Sequence, residues 1–428
     1  MSGNRFVCIA CVVAACGGGD GPDPLAERPV ASRDQTRDVL RTDLELDLSS
    51  MSGVAHIEIA PSESTGLTLE IGDLAIESVS DAVGDLERTV DGSLLDIGVP
   101  PTTQPHTVTI RYQFRDHSGF DGWMNAQGLT FLWPYFCGNL YPCKSDPSDG
   151  IAFSMAVTGA TGTAIYPKRI DAEAPSYMPA VAVGEYTEVE LAATSSGTAI
   201  SVFHLPGEQA RAAAGTAHLT EVFEFYETTY GPYAFGLKVA TVSAPWGPGA
   251  FGGMEHHPFW HVASGALSSQ ETNAHEAAHG WFGNGVRIAC WEDFVLSEGV
   301  VTYMSARALA AAGVDISRSH ECDLKRACDQ ENTIALPGTC NDIDILTHPI
   351  WSSVPYMKGA FYLSAVAGDI GADTLDDILA EFYIEHVGQP ARMRDLIGRI
   401  QDAGASPQLA IDWLESEVCP VDTSALCQ

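Results

Sequence analysis

The stretch HEAAHGWFGN, residues 275–284, carries two histidines four apart and a glutamate directly after the first. On an α-helix, residues i and i+4 share a face, so the rings of His275 and His279 can meet at one metal ion. Glu276 is rotated from His275 by about 100°. It is badly placed as a third ligand but well placed to face a water on the metal, which is the mechanical logic of the H-E-x-x-H pattern. Taken alone, the pattern also fits a buried helix that happens to carry imidazoles. The next segment, WEDFVLSEGVVTYM, places Glu298 after eighteen intervening residues. A carboxylate there completes a His₂Glu set and leaves a fourth zinc position for water. Zinc lowers the pKa of such a water toward about 7, and Glu276 can then take its proton.

Further motifs follow the same order. GGMEH spans 252–256, and SSVPYMKG spans 352–359. Together with HEAAHGWFGN, the eighteen-residue gap and LSEGVVTYM, they resemble the gluzincin aminopeptidases, the family of aminopeptidase N and the leukotriene hydrolases. GGMEH is similar to that family's G-x-M-E-N stretch, and VPYMKG to its tyrosine helix. NLYPCKSDPSDGIAFSMAV, residues 139–157, resembles its Pro-Cys-Asp-x-Pro region. The resemblance implies a multidomain α+β chain, with an N-terminal antiparallel β-sheet domain and a thermolysin-like, mainly helical catalytic domain. It also implies a short form without the large C-terminal helical domain. By the same resemblance, His275, His279 and Glu298 bind one Zn²⁺ per chain and Glu276 is the general base. Tyr356 hydrogen-bonds the oxyanion, and Glu255 holds the free α-ammonium of a peptide. Gly252, Gly253 and Met254 form the edge against which the peptide lies, glycine allowing close approach.

The chain departs from the family pattern at several positions. His256 stands where the motif has asparagine, and Ser297 stands before the third ligand where asparagine is usual. Trp351 lies near a second tyrosine of some members. Counted back from Pro142-Cys143, Trp133 in FLWPYF falls where many members carry a Gln or Glu that helps grip the amino terminus. His256 and His257 are expected to be solvent-facing or pocket-lining rings rather than a second metal site.

The elements that position these residues read as follows. Runs such as LRTDLELDLSS, GVAHIEIAP, TLEIGDLAIESV, SLLDIGV and HTVTIRYQF alternate apolar and polar residues between turn formers, the pattern of half-buried strands. With EYTEVELAATSSGTAISVFHLP they define a β-domain over 37–205. From 206 to 428 helical spacing dominates: EQARAAAGTAHLTEVFEFYETTYG, SQETNAHEAAHGWFGN, LSEGVVTYMSARALAAAG, VPYMKGAFYLSAVAGDIG and TLDDILAEFYIEHVG, with KVATVSAP as a strand.

Residues 6–15 form a short apolar run after Arg5, ending in small residues before Cys16. This is too short to span a bilayer. It predicts a lipoprotein-type signal over 1–16 with Cys16 lipidated, followed by a flexible tether over 17–36; a plain secretory signal is the alternative. Both export the chain. The first places it in a bacterial cell envelope, facing the periplasm or on the cell surface, with membrane contact only through the lipid. Eight cysteines remain downstream, an even number that suits disulfides in an exported chain, with Cys137–Cys143 and Cys419–Cys427 as short-range candidates. With 56 acidic and 22 basic residues the formal charge is −34, and no basic cluster offers a nucleic-acid surface. The functional expectation is a zinc aminopeptidase acting on peptides. The alternatives are an endopeptidase of the same fold with relaxed amino-terminal anchoring, or a non-catalytic peptide-binding envelope protein.

Overall fold

The computed structural model describes residues 28–247, 251–341 and 343–427. Cys16, the expected signal and the first part of the expected tether lie outside them. Residues 28–36, read as tether, are held against the β-domain. Arg28 pairs with Asp81 at 2.7 Å and Arg33 with Asp96 at 3.1 Å; Asp34 N donates to Thr68 Oγ1, and Thr68 N donates back to Asp34 O. Charged side chains that suggest a solvated linker instead find acidic partners on the domain.

The N-terminal domain is built on a six-stranded sheet in the order Arg169–Pro175, Gly150–Thr158, Val39–Asp47, Ser52–Ile59, His106–Gln113, Ala75–Ser80. The alternation seen in sequence becomes alternating burial: Ala55, Ile57 and Ile59 face the core while Val54, His56 and Glu58 are half-buried. All neighbours are antiparallel except Val39–Asp47 and Gly150–Thr158, which run parallel. Smaller three- and four-stranded sheets pack around it.

The hairpin Thr187–Ala193 and Ala199–His204, assigned from alternation to the β-domain, belongs instead to the next one. Ala199–His204 pairs in parallel with Lys238–Ala244, which pairs in parallel with Phe259–Ala263. The boundary therefore falls near residue 185, not 205. Alternation reports a half-buried strand but not which sheet supplies its partner. The outer strand of this sheet is Gly253–Met254, antiparallel to Phe259–Ala263, with Gly253 opposite Val262 and Met254 opposite His261.

Helices complete this domain. Gln270–Ala278 is capped by Ser269, whose hydroxyl accepts from Thr272 N at 3.1 Å. Phe294–Ala311 is buried on nearly every side, its polar Ser297, Glu298, Thr302 and Ser305 included. Ser353–Ile370 packs along it and begins with a Ser352 cap. The long helical segment over 208–231 splits into Gln209–Gly215 and Leu219–Tyr230. Three disulfides tie the helical half together: Cys290–Cys340, Cys322–Cys427 and Cys328–Cys419. Cys137–Cys143 forms as expected. The Cys419–Cys427 pairing does not: each cysteine meets one from the helix Ser317–Cys328, so two bridges clamp the C-terminal segment onto that helix. Arg287, 2 % exposed, joins the domains by donating to Gly388 O, Ser148 O and Glu173.

Candidate metal centre and peptide cleft

His275 lies in the last turn of Gln270–Ala278, and His279 is its C-terminal cap residue, still in helical conformation. The i, i+4 geometry therefore survives although the helix ends between them. Glu298 comes from the first turns of Phe294–Ala311. Their donor atoms form a compact triangle: His275 Nε2 to Glu298 Oε2 3.0 Å, His275 Nε2 to His279 Nε2 3.3 Å, and His279 Nε2 to Glu298 Oε2 3.5 Å. Tetrahedral zinc with bonds of about 2.0–2.1 Å separates its donors by about 3.3–3.4 Å. The triangle fits that spacing.

Hydrogen bonding also prepares His279. Its Nδ1 lies 3.1 Å from Phe282 O. A carbonyl only accepts, so Nδ1 carries the proton and Nε2 turns its lone pair toward the triangle. The turn that brings Phe282 back depends on Gly283, at φ +96°, where a Cβ would sit 2.6 Å from His279 Nδ1.

Glu276 is buried beside the triangle, under the edge strand. A Cβ at Gly253 would lie 2.3 Å from Glu276 Oε1, so only glycine lets the strand pass over this carboxylate. Burial, reinforced by Glu255 and Glu298, pushes the Glu276 carboxyl well above its ordinary range. Tyr356 stacks on the ring of His275, with centroids 5.8 Å apart and planes 19° apart. Burial first, then the surrounding carboxylates, keeps its hydroxyl protonated and hence a donor. Glu255 is 6 % exposed, and Glu255, Glu276 and His279 bring their polar atoms within 4.8 Å of one another. Its backbone carbonyl accepts from Asn284 Nδ2 at 2.6 Å, and Asn284 accepts from Tyr177 of the β-domain at 3.1 Å.

These residues line one cavity of about 270 Å³, with Gly252, Gly253, Met254 and Glu255 along one wall. All nine site residues predicted within the described part of the chain meet there. The β-domain contributes Phe131 and Trp133.

His256 and His257 differ from expectation. They are 1 % and 0 % exposed and do not line the cavity. His257 Nε2 lies 2.8 Å from the backbone carbonyl of Glu276, and Tyr233 Oη lies 2.7 Å from His257 Nδ1. The carbonyl only accepts, so Nε2 donates and Nδ1 accepts from the tyrosine. His257 thereby satisfies a carbonyl left orphaned by the helix end. Lys358 stands in the VPYMKG motif. It is buried, donates to Thr333 O at 2.7 Å and Ser416 O at 2.8 Å, and is pushed down to about 8 by burial. It ties two distant segments to the tyrosine helix. Neither role had a local signal, because both partners lie far away in sequence.

Comparison with known proteins agrees with this geometry. Residues 252–416 match the Peptidase family M1 domain. Leucine aminopeptidase 2-1 of Meyerozyma guilliermondii is 25 % identical over 352 residues, covering 74 % of this chain and 56 % of that protein. Leucine aminopeptidase 2 of Sclerotinia sclerotiorum is 28 % identical over 283 residues, covering 63 % of this chain and 45 % of that protein. The chain thus spans about half the length of these relatives. In fold it is similar to the M1 zinc metallopeptidase from Deinococcus radiodurans, with a TM-score of 0.74 at 18 % identity over 92 % of this chain and 96 % of that one. It is also similar to native leukotriene A4 hydrolase from Saccharomyces cerevisiae, with a TM-score of 0.74 at 18 % identity over 90 % of this chain and 69 % of that one. Residues 252–416, set behind an N-terminal β-sheet domain, are thus similar to a peptidase family M1 domain, and the chain shares the fold of the two-domain M1 zinc metallopeptidase.

Proposed function

We propose that the chain is a zinc aminopeptidase that removes N-terminal residues from peptides. The observation that carries this reading is the convergence of His275, His279 and Glu298 with Glu276, Tyr356 and Glu255 around one cavity beside an edge strand. When bound, zinc supplies an acidified water and a Lewis acid for the scissile carbonyl. The chain's own residues do the rest. Gly252 and Gly253 accept an extended peptide along their edge, where no Cβ intervenes. Glu255 pairs with the peptide's α-ammonium. Glu276 takes a proton from the attacking water and returns it to the leaving amine. Tyr356 donates its O–H to the substrate oxygen as charge develops there.

The endopeptidase reading has one observation in its favour: among the described residues lining the cavity, the β-domain offers Phe131 and Trp133, neither of which carries a side-chain acceptor to grip an ammonium. Glu255, buried among the site's polar groups, favours the exopeptidase. The deciding experiment measures zinc content and cleavage of matched free and N-acetylated peptides by the parent and Glu255→Ala. The aminopeptidase reading expects the parent to cleave the free form far better. Losing a charge-assisted bond in Glu255→Ala should reduce that activity about ten- to a hundredfold. Equal cleavage of both forms by the parent would make it an endopeptidase. The proposal that the protein is exported and lipid-anchored rests on residues 1–16. Among the described residues, no helix is long and apolar enough to cross a membrane.

A further inference from the structure

The cleft has two chemically different ends, and the helix Phe294–Ala311 runs between them. Before Glu298, around Phe294, the wall is aromatic. Trp133 stacks on Trp351 with centroids 4.4 Å apart, and Trp351 meets Phe251 edge-on at 5.8 Å. Phe251 in turn stacks on Phe131 at 5.5 Å. After Glu298, one and two turns on, the wall is polar: Thr302 and Ser305, with Glu271 and His320 paired at 3.0 Å across from them.

The four rings come from three separate parts of the chain. Phe131 and Trp133 belong to the β-domain, Phe251 leads into the edge strand, and Trp351 precedes the tyrosine helix. Phe251 remains 43 % exposed although it stacks in this group. An exposed ring in an aromatic wall marks apolar surface still to be covered. Trp133 falls where many members of the resembled family carry a Gln or Glu, so apolar area stands there in place of a polar grip.

Glu255 ties the amino-terminal end of a substrate to the aromatic side. Its backbone is held by Asn284, and Asn284 by Tyr177. Tyr177 lines one small cavity together with Trp133 and Phe294. A peptide whose ammonium meets Glu255 therefore begins beside the aromatic wall, and its later residues run toward Thr302 and Ser305.

We propose that the aromatic box of Phe131, Trp133, Phe251 and Trp351 selects peptides whose first residue is aromatic or another large apolar side chain. This rests on the aminopeptidase reading. Ring–ring contact and apolar burial supply the discrimination, and acidic first residues are rejected by the neighbouring carboxylates.

The test uses the zinc-loaded full chain and aminoacyl-anilides beginning with Phe, Trp, Leu, Ala, Arg and Glu. In parallel, calorimetry measures binding of phenylalaninamide and alaninamide. The expected kcat/KM for Phe or Trp exceeds that for Ala by at least about tenfold, the scale set by apolar pocket contacts. Glu should be the poorest. Phe251→Ala and Trp351→Ala should each lower the Phe-to-Ala ratio, and Phe251→Trp should preserve it; since Phe251 is partly exposed, its variants should fold. Ala handled as well as Phe in both turnover and binding would overturn the proposal. So would a ratio unmoved by both alanine variants. If no anilide is cleaved yet phenylalaninamide binds more tightly than alaninamide, the box stands and the aminopeptidase reading fails. If neither turnover nor binding favours the ring, the box fails as well.

Discussion

Gly299 and Gly359 meet backbone to backbone: a Cβ on Gly359 would lie 2.6 Å from the Cα of Gly299. Gly299 directly follows Glu298, and Gly359 lies one turn beyond Tyr356. This crossing of Phe294–Ala311 and Ser353–Ile370 therefore sets how near the tyrosine stands to the Glu298 side of the triangle. Gly359→Ala should push the helices apart. Overpacking of this kind costs about 1–3 kcal/mol. A thermal melt should show a lower Tm, and a kcat loss should persist at temperatures where the variant is fully folded. An unchanged Tm and kcat would mean the crossing relaxes freely and does not position the tyrosine.

Glu276→Gln should retain zinc, because the ligand set is intact, and lose about 10²- to 10⁴-fold in turnover. Metal analysis with initial rates on a good substrate checks both. Parental rates in the purified variant would remove Glu276 from the mechanism.

His279→Ala should lose the metal, since a two-ligand remnant binds zinc far more weakly than the full set. The parent should hold one zinc per chain after dialysis and the variant none. Retention of one zinc by the variant would direct attention to another site.

Tyr356→Phe should lower kcat with little change in KM, since its hydroxyl is used mainly in the transition state. Removing one oxyanion donor typically costs about 10²- to 10³-fold. An effect confined to KM would assign the tyrosine to substrate binding instead.

Sequence alone determined the parts that depend on local spacing. The i, i+4 histidines face one way on any helix, so His275 and His279 could be paired without a structure. The 3.6- and two-residue periods marked helices such as Leu219–Tyr230 and strands such as Ser52–Ile59, because burial of one face imprints that period on the chain. The distance from His279 to Glu298 could be counted, but their closure to 3.5 Å depends on two helices packing. Tertiary structure alone decided what depends on partners distant in sequence. The hairpin 187–204 has the alternation of its neighbours, yet its hydrogen bonds go to Lys238–Ala244 and so to the second domain. Cys419 and Cys427 are close in sequence, yet each is brought nearer to a cysteine on Ser317–Cys328. His257 reads as a surface or pocket ring until the chain folds it beneath the carbonyl of Glu276. Four aromatic residues scattered from 131 to 351 carry no joint signal in the sequence. They become one wall because both domains and the tyrosine helix converge on the same cleft, and ring contacts are made in space rather than along the chain.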